Sequence, residues 1–173
     1  GELLKIPRLI EETLGKEKEI AEVADSFASS EHFLFISRHI NYPIALEGAL
    51  KIKEISYVHA EGYAAGEMKH GPIAIIYKGM PLLAVAPSGR TLELMAGNIE
   101  EAKARGAEVV AIVDSASQKT VKASRYIVLP ATGELFTPLL TVIPLQLFAY
   151  YVALAKKCDI DKPRNLAKSV TVR

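Results

Sequence analysis

Four short apolar runs punctuate the chain, at 32–37 (HFLFIS), 81–86 (PLLAVA), 108–113 (EVVAIV) and 125–130 (RYIVLP). Each has strand length and little polar alternation, which marks a strand buried on both faces. Helical periodicity fills the intervals: two stretches within residues 1–30, one over 43–55, and the later part of 87–106, which stops at Gly106. Short apolar strands separated by helices predict an α/β fold, a three-layer sandwich whose parallel sheet is covered by helices on both faces. In such sheets ligands bind beyond the carboxyl ends of the strands. The long apolar stretch at 135–155 (LFTPLLTVIPLQLFAYYVALA) would span a bilayer on hydropathy alone. Pro138, Pro144 and Gln146 interrupt it, and it is read as a core or subunit-interface helix kinked at Pro144.

The helix at 43–55 (PIALEGALKIKEI) is the most informative segment. Pro43 opens it at a favoured position. At ~100° per residue, Glu47, Lys51 and Glu54 fall within roughly 60° of one another. Ile44, Leu46, Leu50, Ile52 and Ile55 take most of the remaining circumference. The pattern predicts a helix buried except for one polar stripe, with Lys53 off it. Ionised side chains are costly to bury alone. Either these charges satisfy one another through the i,i+4 spacing of Glu47 and Lys51, or they face a cleft where a carboxylate beside a lysine takes and returns a proton.

Composition narrows the classes. The chain has 173 residues, 50% hydrophobic and 24% charged, the profile of one globular domain with a real core and no disordered tract. Lys and Arg number 21 against 20 Asp and Glu, so no nucleic-acid partner is expected. Cys158 is the single cysteine, which excludes an intrachain disulfide and a cysteine-built zinc site and fits a cytoplasmic location. The amphipathic, charged beginning (GELLKIPRLIEETLGKEKEIA) is unlike a signal peptide. Starting on Gly, it suggests a processed chain or a piece of a longer one. No membrane partner is expected.

Two further segments carry candidate chemistry. Residues 57–72 (YVHAEGYAAGEMKHGP) gather two histidines, two glutamates and a lysine among small residues, as loops serving a site do. His59 with Glu61 and Glu67 with His70 suggest a metal, but the Glu-x-x-His spacing of di-metal bundles recurs on a second helix, and here it occurs once. No metal is expected. A histidine acting as acid or base near neutral pH and a purely structural pair both remain. In 86–93 (APSGRTLE), Ser88, Gly89 and Thr91 lie between a strand and a helix, where free amides cradle a phosphate or a hydroxyl simply caps the helix.

Two long motifs, YPIALEGALKIKEISYVHAEGYAAGEMKHGPIAII and the terminal DKPRNLAKSVTV, closely resemble the second of the two sugar isomerase (SIS) domains of the glutamine:fructose-6-phosphate amidotransferase family. The resemblance covers the whole chain. It implies a flavodoxin-like five-stranded parallel sheet in a single domain, 1–173, with a helical lead-in at 1–30 and an active-site tail at 159–173. It implies an enzyme that makes glucosamine 6-phosphate from fructose 6-phosphate and glutamine-derived ammonia. By the same resemblance Glu54 shuttles the proton between C1 and C2 of the sugar, Lys51 assists near the C1 oxygen, and His70 opens the ring in a neighbouring subunit's site. Lys168 forms the imine, and Glu47 and Ala167 contact substrate. A homodimer and no cofactor are implied. An imine-forming lysine must be neutral, against a reference pKa of ~10.4. Arg164, four residues earlier, is a candidate source of the field that lowers it.

The departures from the family bear on the chain alone. The glutaminase domain and the first SIS domain, with its phosphate loop, have no counterpart here, so the chain by itself is expected to be inactive or incomplete. The SGRT loop is the equivalent of one that does not hold the substrate's phosphate. SRHINYP departs from the family's glycine-flanked arginine, so Arg38 receives no role, and Arg173 replaces a usual glutamate. The alternative is a non-catalytic SIS module that binds sugar phosphates. A lysine suited to imine formation favours the enzyme.

Overall fold

The computed structural model describes residues 1–166. Five strands form one parallel sheet in the order β2-β1-β3-β4-β5: β1 (His32–Ser37), β2 (His59–Ala64), β3 (Pro81–Val85), β4 (Glu108–Asp114) and β5 (Arg125–Leu129). The four strands expected from apolar runs fall within one residue of their expected bounds. β2 does not follow from that pattern, because residues 57–72 read as a loop. Its residues alternate small (Ala60, Gly62, Ala64) with polar (His59, Glu61, Tyr63), as an edge strand with no apolar run does.

Alternation along the strands divides the core in two. Phe33, Phe35, Ala60, Leu83, Val85, Val110, Ile112 and Ile127 face α1 (Ile6–Leu14), α2 (Glu17–Ser26), α3 (Tyr42–Ser56) and α5 (Thr137–Ala155). Leu34, Ile36, Leu82, Ala84, Val109 and Ala111 face α4 (Leu92–Lys103) and the short helical turns at Ala65–His70 and Pro72–Ile75. The three layers are those expected, with most of the helix on one side.

α5 is long and apolar enough to cross a membrane, yet Leu140, Leu145, Phe148, Ala149, Val152 and Ala153 are buried in the core. It is a core helix packed on α1, α2 and α3. Its helical course runs through Pro144.

α3 departs from the expected burial. Its buried positions are Ala45, Gly48, Ala49, Ile52 and Ser56, while Leu46 and Leu50 are exposed. The helix lies too close to the sheet for leucines on its inner face. A Cβ at Gly48 would come within 2.8 Å of Leu145 and 2.9 Å of Phe35, and one at Gly62 within 3.0 Å of the Leu46 Cα. Gly48→Ala is predicted to cost about 2 kcal/mol by overpacking. The thermal midpoint would then fall by roughly 4–8 °C, measurable by circular dichroism.

Candidate functional site

α3 runs antiparallel to the strands it covers, so its last turn ends beside the amino end of the sheet. There Glu54 opens on a cleft of about 490 Å³ formed with Lys53, Tyr57, Val58, His59, Arg164, Asn165 and Leu166. The expectation that the site sits beyond the carboxyl ends of the strands is therefore wrong for Glu54. Its cleft lies at the opposite end, where α3 hands over to β2.

The charges of the polar stripe satisfy one another, and of the three only Glu54 also lines the cleft. Lys51 donates a short hydrogen bond to Glu54 and lies 3.7 Å from Glu47, each side chain about one-third exposed. The bond from Glu54 raises the Lys51 pKa, burial works against it, and the charges of Glu47 and Glu54 add to it. Lys51 is thus held as a cation at neutral pH. A lysine so held is unsuited to act as a neutral amine.

Tyr57 closes α3 in the left-handed conformation (φ 59°). Its hydroxyl accepts the Arg164 N–H at 2.9 Å, and the Arg164 guanidinium lies 4.2 Å from the ring centroid. This contact brings Arg164, 107 residues away in sequence, to the wall of the Glu54 cleft. Lys168 and Ala167 lie outside the described residues.

His70 is not part of that cleft. Its segment packs on the other face of the sheet, through Ala65 and Met68. The His70 side chain is 72% exposed, and its Nδ1 is 2.8 Å from Glu67 Oε2. The segment is braced from below. Arg38 Nε–H donates to Asn98 at 2.9 Å, Asn98 donates to Glu101, and Lys69 bridges to Glu101 at 2.8 Å. The Lys69 hydrogen bond, against a smaller effect of burial, holds the Glu101 carboxyl below its usual pKa. Gly66 lies flat on Arg38, where a Cβ would approach Nη2 to 2.6 Å. Arg38, given no role by sequence, supports the segment that carries His70.

The histidine and glutamate pairs remain pairs. His59 Nε2 lies 3.5 Å from Glu61, and its Nδ1 lies 3.4 Å from that of His32 across the β1–β2 register. Tyr63 donates to Glu61, and that bond first, then burial, pushes the phenol up to about 12. Among the described residues no three His, Cys, Asp or Glu side chains group to hold a metal.

The crevice at the carboxyl ends of β1 and β3, where strand order reverses, is narrow, and two carboxylates hold the loop beside it. Asp114 accepts the Ser88 N–H at 2.6 Å, the Ser88 hydroxyl at 2.7 Å, and the N–H groups of Ala116 and Ser117. Glu134 accepts the N–H and Nε–H of Arg90 at 3.1 and 3.0 Å. Neither Ser88 nor Thr91 caps α4 by a side-chain bond. The remaining space is about 10 Å³, no more than one water needs. Two of the SGRT amides that a phosphate would use, those of Ser88 and Arg90, are already taken. Neither Asp114 nor Glu134 was singled out by sequence, since nothing local marks a carboxylate that closes a loop 26 or 44 residues earlier.

Residues 26–156 match the SIS domain model, and the chain belongs to that family. It is 54% identical over 172 residues to the isomerizing glutamine–fructose-6-phosphate aminotransferase of Methanosarcina acetivorans, a match covering 99% of this chain and 28% of that protein. The protein of the same name from Aquifex aeolicus is 49% identical over 171 residues, covering 98% and 29%. A solved structure of the C-terminal domain of glucosamine-fructose-6-phosphate aminotransferase from Francisella tularensis superposes with a TM-score of 0.90 at 42% identity, over 93% of this chain and 46% of that one. The chain thus spans less than a third of the length of these two relatives.

Burial raises the Asp114 carboxyl, but the N–H groups of Ser117, Ser88 and Ala116 and the Ser88 hydroxyl outweigh it and leave the pKa lowered. A carboxyl depressed on folding stabilises the fold above its unfolded pKa, and the contribution is lost as pH falls through the folded value. Asp114→Asn is predicted to lower stability at pH 7 by about 2 kcal/mol. The difference from wild type should shrink below pH ~4, read by urea denaturation at both pH values.

Proposed function

We propose that the chain is the isomerase part of an enzyme that makes glucosamine 6-phosphate from fructose 6-phosphate and glutamine-derived ammonia. The observation that carries this is the Glu54 cleft, one wall of which is formed by Arg164, Asn165 and Leu166, the last of these standing two residues before Lys168 in sequence. A proton-shuttling carboxylate and an imine-forming amine need to meet at adjacent carbons of one sugar. The printed names of the relatives supply the substrate.

In this mechanism His70 opens the ring by moving a proton between the ring oxygen and the anomeric hydroxyl. The neutral Lys168 amine adds to the C2 carbonyl and water leaves. Ammonia then displaces the lysine at C2, Glu54 takes a proton from C1, and the same carboxyl returns it to C2. Lys51, held cationic by its two glutamates, supports charge developing at the C1 oxygen. This separates the two lysines by charge: Lys51 is the fixed cation and Lys168 the amine. Glu47 keeps Lys51 in place from one turn away, and Glu47 and Ala167 contact the sugar.

The exposure of His70, on the face of the sheet opposite Glu54, supports a homodimer in which His70 serves the partner's cleft. The short span relative to the relatives supports an ammonia-producing glutaminase and a first SIS domain as missing partners. A single cysteine supports a cytoplasmic location.

In the enzyme completed by its preceding domains, Glu54→Gln and His70→Ala should each lower turnover by about 10²-fold or more. Mixed subunits of the two variants should recover about a quarter of wild-type activity, since only hybrid dimers carry one intact site. Full activity of Glu54→Gln would overturn the assignment, and no recovery on mixing would overturn the shared site.

A further inference from the structure

We propose that Tyr57 is a positioning residue for this site, the anchor that seats the chain's tail against Glu54. The inference rests on the reading of Glu54 and Lys168 given above, but its geometry stands apart from that reading. Tyr57 is the last residue of α3's cap and is three residues from Glu54. Both line the same cleft.

The anchor has two parts that hold different features of Arg164. The phenol oxygen accepts the backbone N–H at 2.9 Å, which fixes the path of the main chain, and the ring face carries the guanidinium, 4.2 Å from its centroid. The left-handed backbone at Tyr57 (φ 59°) is unusual for an aromatic residue. Glycine would take it without strain. A tyrosine there has its reason in the contact its side chain makes. Two other non-glycine residues with positive φ flank the tail: Lys157 at its root (φ 58°) and Asn165, next to Arg164 (φ 62°). The chain is thus turned sharply at Lys157 and again at Asn165, and between them Arg164 rests on Tyr57.

The anchor also limits reach. Lys168 is four residues beyond Arg164, and four residues of extended chain span at most ~14 Å. Pinning Arg164 therefore bounds how far the lysine can lie from the Tyr57 contact.

The test uses two readouts and three proteins: wild type, Tyr57→Gly, which suits the φ of 59°, and Tyr57→Phe, which keeps the ring and loses the acceptor. The first readout is trypsin cleavage of the Arg164–Asn165 bond, followed as the early rate of the 1–164 fragment. The second is borohydride trapping of fructose 6-phosphate on Lys168 in the enzyme completed by its preceding domains, located by peptide mass spectrometry. Tyr57→Gly is expected to speed cleavage about tenfold and to reduce trapping by a similar factor, with Tyr57→Phe between it and wild type. Thermal midpoints should stay close to wild type, so global unfolding does not account for the change. Unchanged cleavage in Tyr57→Gly overturns the anchor. Faster cleavage with undiminished trapping overturns its positioning role. Absence of any adduct on wild type counts against the Lys168 reading instead, and the cleavage rates then decide the anchor alone.

Discussion

The close approach of α3 to the edge of the sheet underlies the rest of the architecture. Gly48 meets Phe35 and Leu145, Gly62 meets the α3 backbone at Leu46, and a methyl group at either place would force the two apart. Interiors at crystal-like density give such contacts little room to yield. Because the helix is pressed down through small residues, its polar stripe ends up at the rim instead of under a neighbouring layer. Its last turn then ends where β2 begins. The cleft exists because this handover leaves Glu54, Tyr57 and His59 side by side, with room for the tail to close the fourth side.

The charges of the stripe follow from the same placement. At about one-third exposure, Glu47, Lys51 and Glu54 are neither free in water nor sealed in apolar surroundings. Two carboxylates around one ammonium keep that ammonium charged and give each carboxylate a partner, at a desolvation cost far below that of a fully buried pair. The carboxyl end of the sheet is solved differently. There Asp114 and Glu134 bind the loop amides themselves, so the crevice that this topology offers is spent on holding the loop. The switch-point crevice is thus narrow, while the cleft at the end of α3 stays open.

Sequence made much of this legible, unevenly. Buried strands announce themselves as apolar runs, and four were found with nearly correct bounds. β2 escaped because an edge strand lying under a close helix needs alanine and glycine on one face and tolerates His59, Glu61 and Tyr63 on the other. The 3.6-residue period placed Glu47, Lys51 and Glu54 on one stripe correctly. It misjudged Leu46 and Leu50, since periodicity reports which residues share a face and not which face is pressed inward. Resemblance named Glu54 and His70 and implied that His70 serves a neighbour. It could not reveal Tyr57 and Arg164, whose contact joins parts of the chain 107 residues apart. Sequence could not reveal that Asp114 and Glu134 hold the loop at the carboxyl end of the sheet, because they come from distant strands and turns.

The central claim is that the open site is at the amino end of the sheet, beneath the end of α3. It is tested most directly by titrating fructose 6-phosphate into the enzyme completed by its preceding domains, isotopically labelled in this domain, and mapping backbone amide shifts by NMR. The account predicts that the largest changes fall on 53–59 and 164–166. Changes centred on Arg38, Ser88, Gly89 and Thr91, with the α3 end silent, would place the sugar in the strand-end crevice and contradict it.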